Sequence, residues 1–198
     1  MDLIFASGNA HKIKEIGAML PNNFQLKSMK DVGIFEEIPE TGTTLSENAE
    51  LKARYVYELL KSKGVEAFVL ADDSGIEVSA LNGAPGVFSA RYAGEPKNDT
   101  ANNRKLLFEL QNTTKREARF VTVLSLILNG KRYTFEGEVK GTIAYEARGR
   151  QGFGYDPLFI PRGFRSTFAE LGEELKNSIS HRAEALKKLL AFLKSEPI

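Results

Sequence analysis

Residues 67–75 read Ala-Phe-Val-Leu-Ala-Asp-Asp-Ser-Gly, a continuous apolar run followed by two carboxylates. An apolar run without polar alternation is typical of a strand that is covered on both faces. Adjacent side chains on an extended backbone point in opposite directions. We expect the strand to end at Asp72, where one carboxylate caps a turn and the other faces a cleft. Residues 76–79 can then form another strand.

The position of these carboxylates indicates a ligand-binding or catalytic site. Ligands of open α/β sheets bind outside the carboxyl ends of the strands. A carboxylate there can hold magnesium or take a proton from water. The alternative is a plain Asp-Ser-Gly turn, for which these residues are individually well suited.

Hydrophobic spacing predicts the other elements around this strand. They are a strand at residues 3–6, a helix containing Ile13, Ile16 and Leu20, a helix from about Leu45 to Lys61, a helix containing Leu106, Leu107 and Leu110, and a last helix carrying Leu186, Leu189, Leu190 and Leu193. Thr44 and Glu47 predict a capping box at the start of the second helix.

Asn129-Gly130 predicts a β-hairpin between residues 119–128 and 131–138, because this pair accepts the positive φ angles of a type I′ turn. Residues 139–144 are expected to add a further strand, and residues 149–156 to form a glycine-rich loop. The order of elements predicts a mixed α/β fold, with residues 1–198 forming a single domain.

Composition excludes several classes of protein. The formal net charge of +1 argues against nucleic-acid binding. The chain has no cysteine and two histidines, so any metal is expected to be a hard cation held by oxygen. No stretch approaches the roughly 20 apolar residues that cross a bilayer. We therefore expect a cytoplasmic protein without membrane or nucleic-acid partners.

A second candidate site is residues 7–12, Ser-Gly-Asn-Ala-His-Lys, where a glycine turn leads into a helix. The N–H groups and dipole of a helix N-terminus favour an anion. Lys12 lies in or near the first turn, where a cation is unfavourable, and a phosphate chain would resolve that conflict. The alternative is a turn capped by Asn9, with Lys12 in solvent.

A third candidate site combines Glu40 with Asn48 and Lys52, which interrupt the apolar stripe of the second helix. Positions i and i+4 are neighbours on a helix, and polar groups on an apolar face need partners. Lys52 can reach a phosphate or a catalytic carboxylate. Alternatively, it extends past the edge of the stripe into solvent.

Residues 152–157, Gly-Phe-Gly-Tyr-Asp-Pro, form a fourth candidate site. The glycines permit close backbone approach. Phe153 or Tyr155 can stack on a base, and Asp156 can accept hydrogen bonds from a ring edge. A structural turn is an equally good interpretation.

Lys176 and Ser180-His181-Arg182 form a fifth candidate site. Ser180 is expected to cap the last helix, which puts His181 and Arg182 in its first turn. Two potential cations at that end predict an oxygen-rich ligand, to which Arg182 can make a bidentate contact. A lone histidine is more often structural than functional.

Taken in order, these motifs resemble the inosine/xanthosine triphosphate pyrophosphatase family over nearly the whole chain. The motifs are Ser7-Gly8-Asn9-x-x-Lys12, Glu40-Thr41-Gly42, Glu47-Asn48-Ala49-x-x-Lys52-Ala53-Arg54, Ala71-Asp72-Asp73-Ser74-Gly75, Gly83-Ala84-Pro85-Gly86-Val87-x-Ser89-Ala90-Arg91-Tyr92, Gly152-Phe153-Gly154-Tyr155-Asp156-Pro157 and Ser180-His181-Arg182. Ser7 stands where Thr is common in the family, and His11 where a small residue is frequent.

The resemblance implies a hydrolase that converts inosine, deoxyinosine and xanthosine triphosphates to the monophosphate and pyrophosphate, with Mg²⁺ as cofactor. Such an enzyme keeps deaminated purines out of nucleic acids. The resemblance also implies a homodimer with an elongated mixed α/β fold, in which a central mixed sheet is flanked by helices and two lobes surround a substrate cleft.

The resemblance also implies roles for individual residues. Glu40 and Asp73 would bind the metal, Asp73 would accept the proton of the attacking water, and Lys52 would assist catalysis. Substrate would be bound by Ser7, Gly8, Asn9, Ala10, His11 and Lys12 at the phosphates, by Ser74, and by Phe153, Gly154, Tyr155, Asp156, Lys176, His181 and Arg182 around the base. Donors there would favour a 6-oxo purine over a 6-amino purine.

Two other functions are compatible with parts of this pattern. One is a Maf-type pyrophosphatase that acts on modified pyrimidine nucleotides. The other is a nucleotide-binding regulator without catalysis, although such a protein has no need of a carboxylate that activates water.

Overall fold

The computed structural model describes residues 2–195. Over this range the chain forms a six-stranded sheet and six α-helices. The strands are β1 (Asp2–Phe5), β2 (Gln25–Ser28), β3 (Phe68–Val78), β4 (Glu117–Leu128), β5 (Lys131–Ile143) and β6 (Phe159–Pro161). The helices are α1 (Ala10–Met19), α2 (Leu45–Ser62), α3 (Asp99–Glu109), α4 (Phe168–Leu171), α5 (Glu173–Ile179) and α6 (His181–Ser195).

The sheet is mixed, with the strand order β2-β1-β3-β4-β5-β6. Strand β1 pairs in parallel with β2 and with β3, whereas β5 and β6 pair antiparallel. The predicted mixed α/β class is therefore confirmed. Between residues 2 and 195, no helix is long and apolar enough to cross a membrane.

The chain divides into two compact units, each built from several stretches of sequence. The first unit comprises residues 1–73, 122–137 and 184–198, and the second comprises residues 74–121 and 138–183. The single domain over residues 1–198 stays a prediction.

In the first unit, β1 and β3 are covered on both faces, as the apolar run at residues 67–71 predicts for β3. Leu3 and Leu70 pack into one core cluster, which includes Ile16 of α1 and Leu189 of α6. Their neighbours in sequence, such as Val69, belong to a second cluster that contains residues of α2. Because successive side chains alternate across a strand, helices cover both faces of this part of the sheet.

The second unit has its own core, in which aromatic rings pack together. The ring centroids of Phe120 and Phe159 are 4.8 Å apart, and those of Phe159 and Phe168 are 5.3 Å apart. Leu106 of α3 and Leu110, which caps the end of this helix, are fully buried in the same cluster. The predicted third helix is thus confirmed as part of this core.

Two strand boundaries differ from the sequence prediction. Strand β3 does not end at Asp72 but continues through Gly75 to Val78. A Cβ on Gly75 would lie 2.3 Å from the backbone oxygen of Gly86, and Ser89 Oγ accepts a hydrogen bond from Ile76 N. Close backbone approach explains this glycine, so no turn is required. Strand β5 likewise runs unbroken to Ile143, where a separate strand was predicted.

Two local predictions are confirmed. Thr44 and Glu47 form the capping box of α2, which begins at Leu45. Asn129 and Gly130 have φ angles of 50° and 74°, which suit a type I′ turn joining β4 to β5.

Candidate functional site

Asp72 and Asp73 lie within β3 and point to opposite sides of it. Asp72 Oδ1 accepts a hydrogen bond from Lys12 Nζ of α1 at 3.1 Å. Asp73 Oδ1 accepts one from Lys52 Nζ of α2 at 3.0 Å. The two carboxylates are buried, and each faces a lysine on a different helix. The predicted divergence of these side chains is confirmed, although the predicted turn is wrong.

Lys52 is the shared partner of two carboxylates. Its Nζ lies 3.1 Å from Glu40 Oε1 and 3.0 Å from Asp73 Oδ1, and only 7% of the residue is exposed. Lys52 therefore does not extend into solvent, which was the alternative. Burial lowers the pKa of Lys52, but the negative charges of Asp73, Asp72 and Glu40 outweigh it and raise the pKa. The ammonium is therefore held in its charged form.

Asp73 is held by neighbours on both of its oxygens. Its second oxygen, Oδ2, accepts a hydrogen bond from Asn48 Nδ2 at 3.3 Å, and Asn48 is completely buried. Asn48 Oδ1 in turn accepts from the backbone of Gly42 at 2.7 Å. Asn48 thereby links Asp73 to the segment that carries Glu40. This group of Glu40, Asn48, Lys52 and Asp73 confirms that the residues of the third candidate site lie together.

The environment of Asp73 favours its protonated form more than water does. Burial raises the pKa of its carboxyl group, and the attraction of Lys52 and Lys12 only partly offsets this. Glu40 contributes in the same direction as burial. A raised pKa brings a carboxylate closer to the range in which it is an effective proton acceptor at neutral pH.

At the start of α1, the side chain of Asn9 caps the helix. Asn9 Oδ1 accepts hydrogen bonds from the backbones of His11 and Lys12 at 3.0 and 3.2 Å, and Ser7 Oγ accepts one from Asn9 N. The Lys12 side chain is 14% exposed and pairs with Asp72, so the dipole conflict is resolved within the protein. The Asn9 cap of the alternative interpretation is confirmed, but its placement of Lys12 in solvent is wrong. Gly8 has open space beside it, since an added Cβ would meet nothing within 4 Å in the described chain.

The oxygens around Lys52 can be tested as ligands for a divalent cation. Among residues 2–195, no group of three or more His, Asp or Glu side chains is arranged to hold a metal ion. Glu40 and Asp73 nevertheless direct one oxygen each toward the same ammonium nitrogen. Mg²⁺ is commonly bound through one or two carboxylates, with waters and substrate phosphates as its other ligands. The pair therefore fits such an ion when a phosphorylated substrate is present.

In the second unit, the start of α6 carries two buried basic side chains. Arg182 is 1% exposed, and its Nη2 donates to Ser74 Oγ at 3.1 Å. The His181 ring stacks on Phe120 with centroids 4.8 Å apart. Ser180 Oγ accepts from Ala183 N at 3.2 Å, which confirms the predicted cap. The structure thus brings Arg182 and Ser74 together, although they are 108 residues apart in the sequence.

The glycine-rich loop brings the remaining predicted residues together. Asp156 and Lys176 form a buried ion pair, and Asp156 Oδ2 also accepts from Phe153 N at 2.9 Å. The half-buried Phe153 ring has Lys176 Nζ 4.6 Å and Arg182 Cζ 5.9 Å from its centroid. Cations at these distances interact favourably with a ring face.

Two residues of this loop have contacts that limit the predicted roles. Tyr155 is buried, and its hydroxyl donates to Ser89 O at 2.8 Å, so its ring is engaged in the core and does not present a stacking face. Burial raises its pKa. Asp156 is 2% exposed and already accepts from Lys176 and the Phe153 backbone, so it organises the loop. Of the two predicted aromatic residues, only Phe153 remains able to stack on a base.

Sequence reasoning missed the side chains that support these groups. Thr122 Oγ1 donates to Asp73 O at 3.1 Å, and the Phe120 ring stacks on the His181 ring. On α3, Asp99 and Asn103 contact the backbone of Gly154. A usable signal existed for the last pair, because residues i and i+4 on a helix share a face.

Known proteins resemble this chain over almost its whole length. A family model described as the Ham1 family matches residues 3–192. A dITP/XTP pyrophosphatase from Flavobacterium psychrophilum is 50% identical over 195 residues, covering 98% of this chain and 100% of its own. One of the same name from Porphyromonas gingivalis is 52% identical and covers 96% of each chain. The structure of the Staphylococcus aureus Ham1 protein matches with a TM-score of 0.86 and 42% identity, covering both chains fully.

Proposed function

The chain belongs to the Ham1 family, and we propose that it hydrolyses inosine, deoxyinosine and xanthosine triphosphates to the nucleoside monophosphate and pyrophosphate. Relatives about half identical over nearly their full length carry the name dITP/XTP pyrophosphatase. The observation that carries the proposal is the buried group around Lys52, whose ammonium is shared by Glu40 and Asp73. A protein that only bound nucleotides would have no need of such a carboxylate.

Asp73 is the proton acceptor in this proposal. It is 6% exposed, and Lys52 and Asn48 each donate to one of its oxygens, so its orientation is fixed. Its raised pKa makes it a stronger base than an exposed aspartate. Asp73 would take the proton from water as that water attacks the phosphate chain, while the linkage between the α- and β-phosphates breaks and pyrophosphate leaves.

Lys52 and Lys12 supply positive charge in the same unit. Attack on a polyphosphate depends mainly on positioning and on neutralising negative charge. Both ammonium groups pair with carboxylates of β3, which holds them in place before substrate binds. Preorganised charge of this kind stabilises the transition state without reorganisation during the reaction.

We assign Glu40 and Asp73 as the residues that would hold Mg²⁺. When bound, the ion would neutralise phosphate charge and lower the pKa of a coordinated water. Because Lys52 lies between these two carboxylates, its side chain must move or share them when the ion is present. Lys52 keeps the two carboxylates from repelling each other in the absence of metal.

The residues at the start of α1 are assigned to the phosphates. The assigned residues before the helix are Ser7, Gly8 and Asn9, and those within its first turn are Ala10, His11 and Lys12. The open space beside Gly8 allows a ligand to approach the backbone closely. The N–H groups of His11 and Lys12 donate to Asn9 Oδ1, so a phosphate that takes these two donors would displace the Asn9 cap.

The second unit is assigned to the purine base. Phe153 would stack on the base, while Lys176, His181 and Arg182 provide donors and Ser74 contacts substrate. Asp156, Tyr155 and Gly154 hold the loop in shape. A 6-oxo purine accepts hydrogen bonds from such donors, whereas a 6-amino group would leave them unpaired. An unpaired buried donor costs about 1–3 kcal/mol, which supports selection of up to roughly two decades.

The wider setting completes the proposal. The enzyme would work in the cytoplasm as a homodimer, with purine nucleoside triphosphates as its partners and without nucleic acid or membrane. It would remove deaminated purine nucleotides before they enter nucleic acids.

Pyrophosphate release tests the proposal directly. Inosine, xanthosine, adenosine and modified pyrimidine triphosphates are compared with and without Mg²⁺. We expect Mg²⁺-dependent release from the first two, and little from the others. Release from pyrimidine analogues alone would indicate a Maf-type activity, and triphosphate binding without any turnover would indicate a regulator.

A further inference from the structure

Two side chains of α3 hold both backbone polar groups of Gly154. Asp99 Oδ2 accepts a hydrogen bond from Gly154 N at 2.7 Å. Asn103 Nδ2 donates one to Gly154 O at 3.0 Å. Residues 99 and 103 are one helical turn apart, so α3 presents an acceptor and a donor on the same face. We call Asp99 and Asn103 the Gly154 clamp.

Gly154 has open space on the side where a side chain would project, so no contact on that side restrains it within the described chain. Its φ angle is 60°, and a Cβ built there would meet nothing within 4 Å in the described chain. Gly152, two residues earlier, differs in this respect, because its added Cβ would lie 2.1 Å from Asp156 Oδ2. Asp99 and Asn103 therefore restrain Gly154 through its backbone N–H and C=O groups.

Gly154 is directly bonded to the residue that faces the two basic side chains. The Phe153 ring lies against Lys176 and Arg182, and its backbone N donates to Asp156. The loop is thus held on one side of Phe153 by Asp156 and on the other by the clamp. Displacement of Gly154 would shift the Phe153 ring relative to both cations.

We propose that the Gly154 clamp is a positioning device for purine recognition, and that it sets the preference for 6-oxo over 6-amino purines through the placement of Phe153. The inference rests on the proposed function, since it assigns Phe153 to the base. Asp99 and Asn103 touch the loop rather than the substrate, so they are positioning residues. A hydrogen bond between a carboxylate and a backbone N–H is stronger than one between neutral groups, and Asp99 is therefore the principal member.

A purely structural role for Asp99 must be separated from this one. Asp99 also lies in the first turn of α3, where a carboxylate stabilises the helix dipole. Asn98 provides a matched control, because its side chain caps the same helix by accepting from Ala101 N at 2.9 Å. Asn98→Ala weakens that end of α3 without removing a contact to Gly154.

The experiment measures kcat/KM for inosine and adenosine triphosphates in wild type, Asp99→Ala, Asn103→Ala and Asn98→Ala, together with Tm. Loss of one hydrogen bond corresponds to a change of roughly tenfold. We expect each clamp variant to reduce the ratio of the two kcat/KM values by about that factor. Asp99→Asn, which keeps an acceptor oxygen, should retain most of the ratio, and Asn98→Ala should lower Tm while leaving the ratio unchanged.

A double-substitution cycle tests whether the clamp acts through Phe153. With Phe153→Ala as background, Asp99→Ala should change the ratio little further, because coupled residues are not additive. Fully additive effects, or an unchanged ratio in both clamp variants, would overturn the inference. A wild-type protein that releases no pyrophosphate from inosine triphosphate would remove the proposed function itself, and the clamp's role in selection with it.

Discussion

Lys52 Nζ lies 3.0 Å from Asp73 Oδ1, on the side of β3 opposite to the pair formed by Lys12 and Asp72. The alternation of a β-strand thus separates two adjacent carboxylates into two different ion pairs. The pair with Lys52 includes a second carboxylate, that of Glu40. This arrangement gives Asp73 a charge environment different from that of Asp72.

Removal of the Lys52 ammonium should strongly reduce activity. Lys52→Ala leaves Glu40 and Asp73 facing each other without a cation, and removes one of the two ammonium charges proposed to neutralise the polyphosphate. We expect kcat to fall by about 100-fold or more, the effect of losing one preorganised charge donor. Steady-state pyrophosphate release measures it, with the exposed Lys61→Ala on the same helix as control. Equal activity of the two variants would contradict the role of Lys52.

Asn48 should support both activity and stability. Asn48→Ala removes the donor to Asp73 Oδ2 and the acceptor of Gly42 N, so two polar groups lose their partner. Leaving a buried group unsatisfied costs about 1–3 kcal/mol. We expect a lower free energy of unfolding by denaturant and a reduced kcat, with little change for the exposed Ser46→Ala. An Asn48→Ala protein with wild-type kcat would show that Asp73 needs no such support.

The raised pKa of Asp73 predicts the acidic side of the pH profile. Burial keeps the carboxyl group protonated to a higher pH than an exposed aspartate. A protonated Asp73 cannot accept a proton, so kcat/KM should fall with decreasing pH around a pKa above the usual value of 3.8. The profile is recorded at low and at saturating Mg²⁺, because an ion held by Asp73 lowers the pKa of its carboxyl group and moves this fall in kcat/KM to lower pH. A kcat/KM that stays constant down to pH 4 at low Mg²⁺ would contradict this prediction.

Two glycines should respond oppositely to alanine. Gly17 lies exposed within α1, where an added Cβ would contact only Leu26 at 3.8 Å, so Gly17→Ala should stabilise by roughly 0.5–1 kcal/mol. A Cβ on Gly75 would lie 2.3 Å from Gly86 O, and Gly75→Ala should destabilise by about 1–3 kcal/mol. Urea unfolding measures the free energy of unfolding of both variants. A stabilised Gly75→Ala protein would show that β3 and the backbone at Gly86 are not in close contact.

Much of the fold could be predicted from local patterns in the sequence. The capping box at Thr44 and Glu47 and the turn at Asn129-Gly130 depend on nearby residues only, and the structure confirms both. The predicted end of β3 at Asp72 is wrong because Asp-Asp-Ser-Gly also has the composition of a turn. Contacts with Gly86 and Ser89, distant by more than ten residues, keep this segment extended.

The sequence predicts which residues belong to the candidate site better than it predicts which residues they contact. An interrupted apolar stripe identified Asn48 and Lys52, and their partners proved to be Asp73 and Glu40. The engagement of Tyr155 with Ser89 could not be predicted, because a buried hydroxyl takes its partner from tertiary packing. The pairing of Lys12 with Asp72 was missed for the same reason, since 60 residues separate them.

Pyrophosphate release by Asp73→Asn is the most direct test of the central claim that Asp73 activates water for hydrolysis of a 6-oxo purine triphosphate. Wild type, Asp73→Asn and the exposed control Glu58→Gln are compared with inosine triphosphate and Mg²⁺, after Tm has shown that all three are folded. We predict strong release by wild type and Glu58→Gln, and a loss of at least about 100-fold in Asp73→Asn. Undiminished release by folded Asp73→Asn would contradict the account, because the proton acceptor would then lie elsewhere.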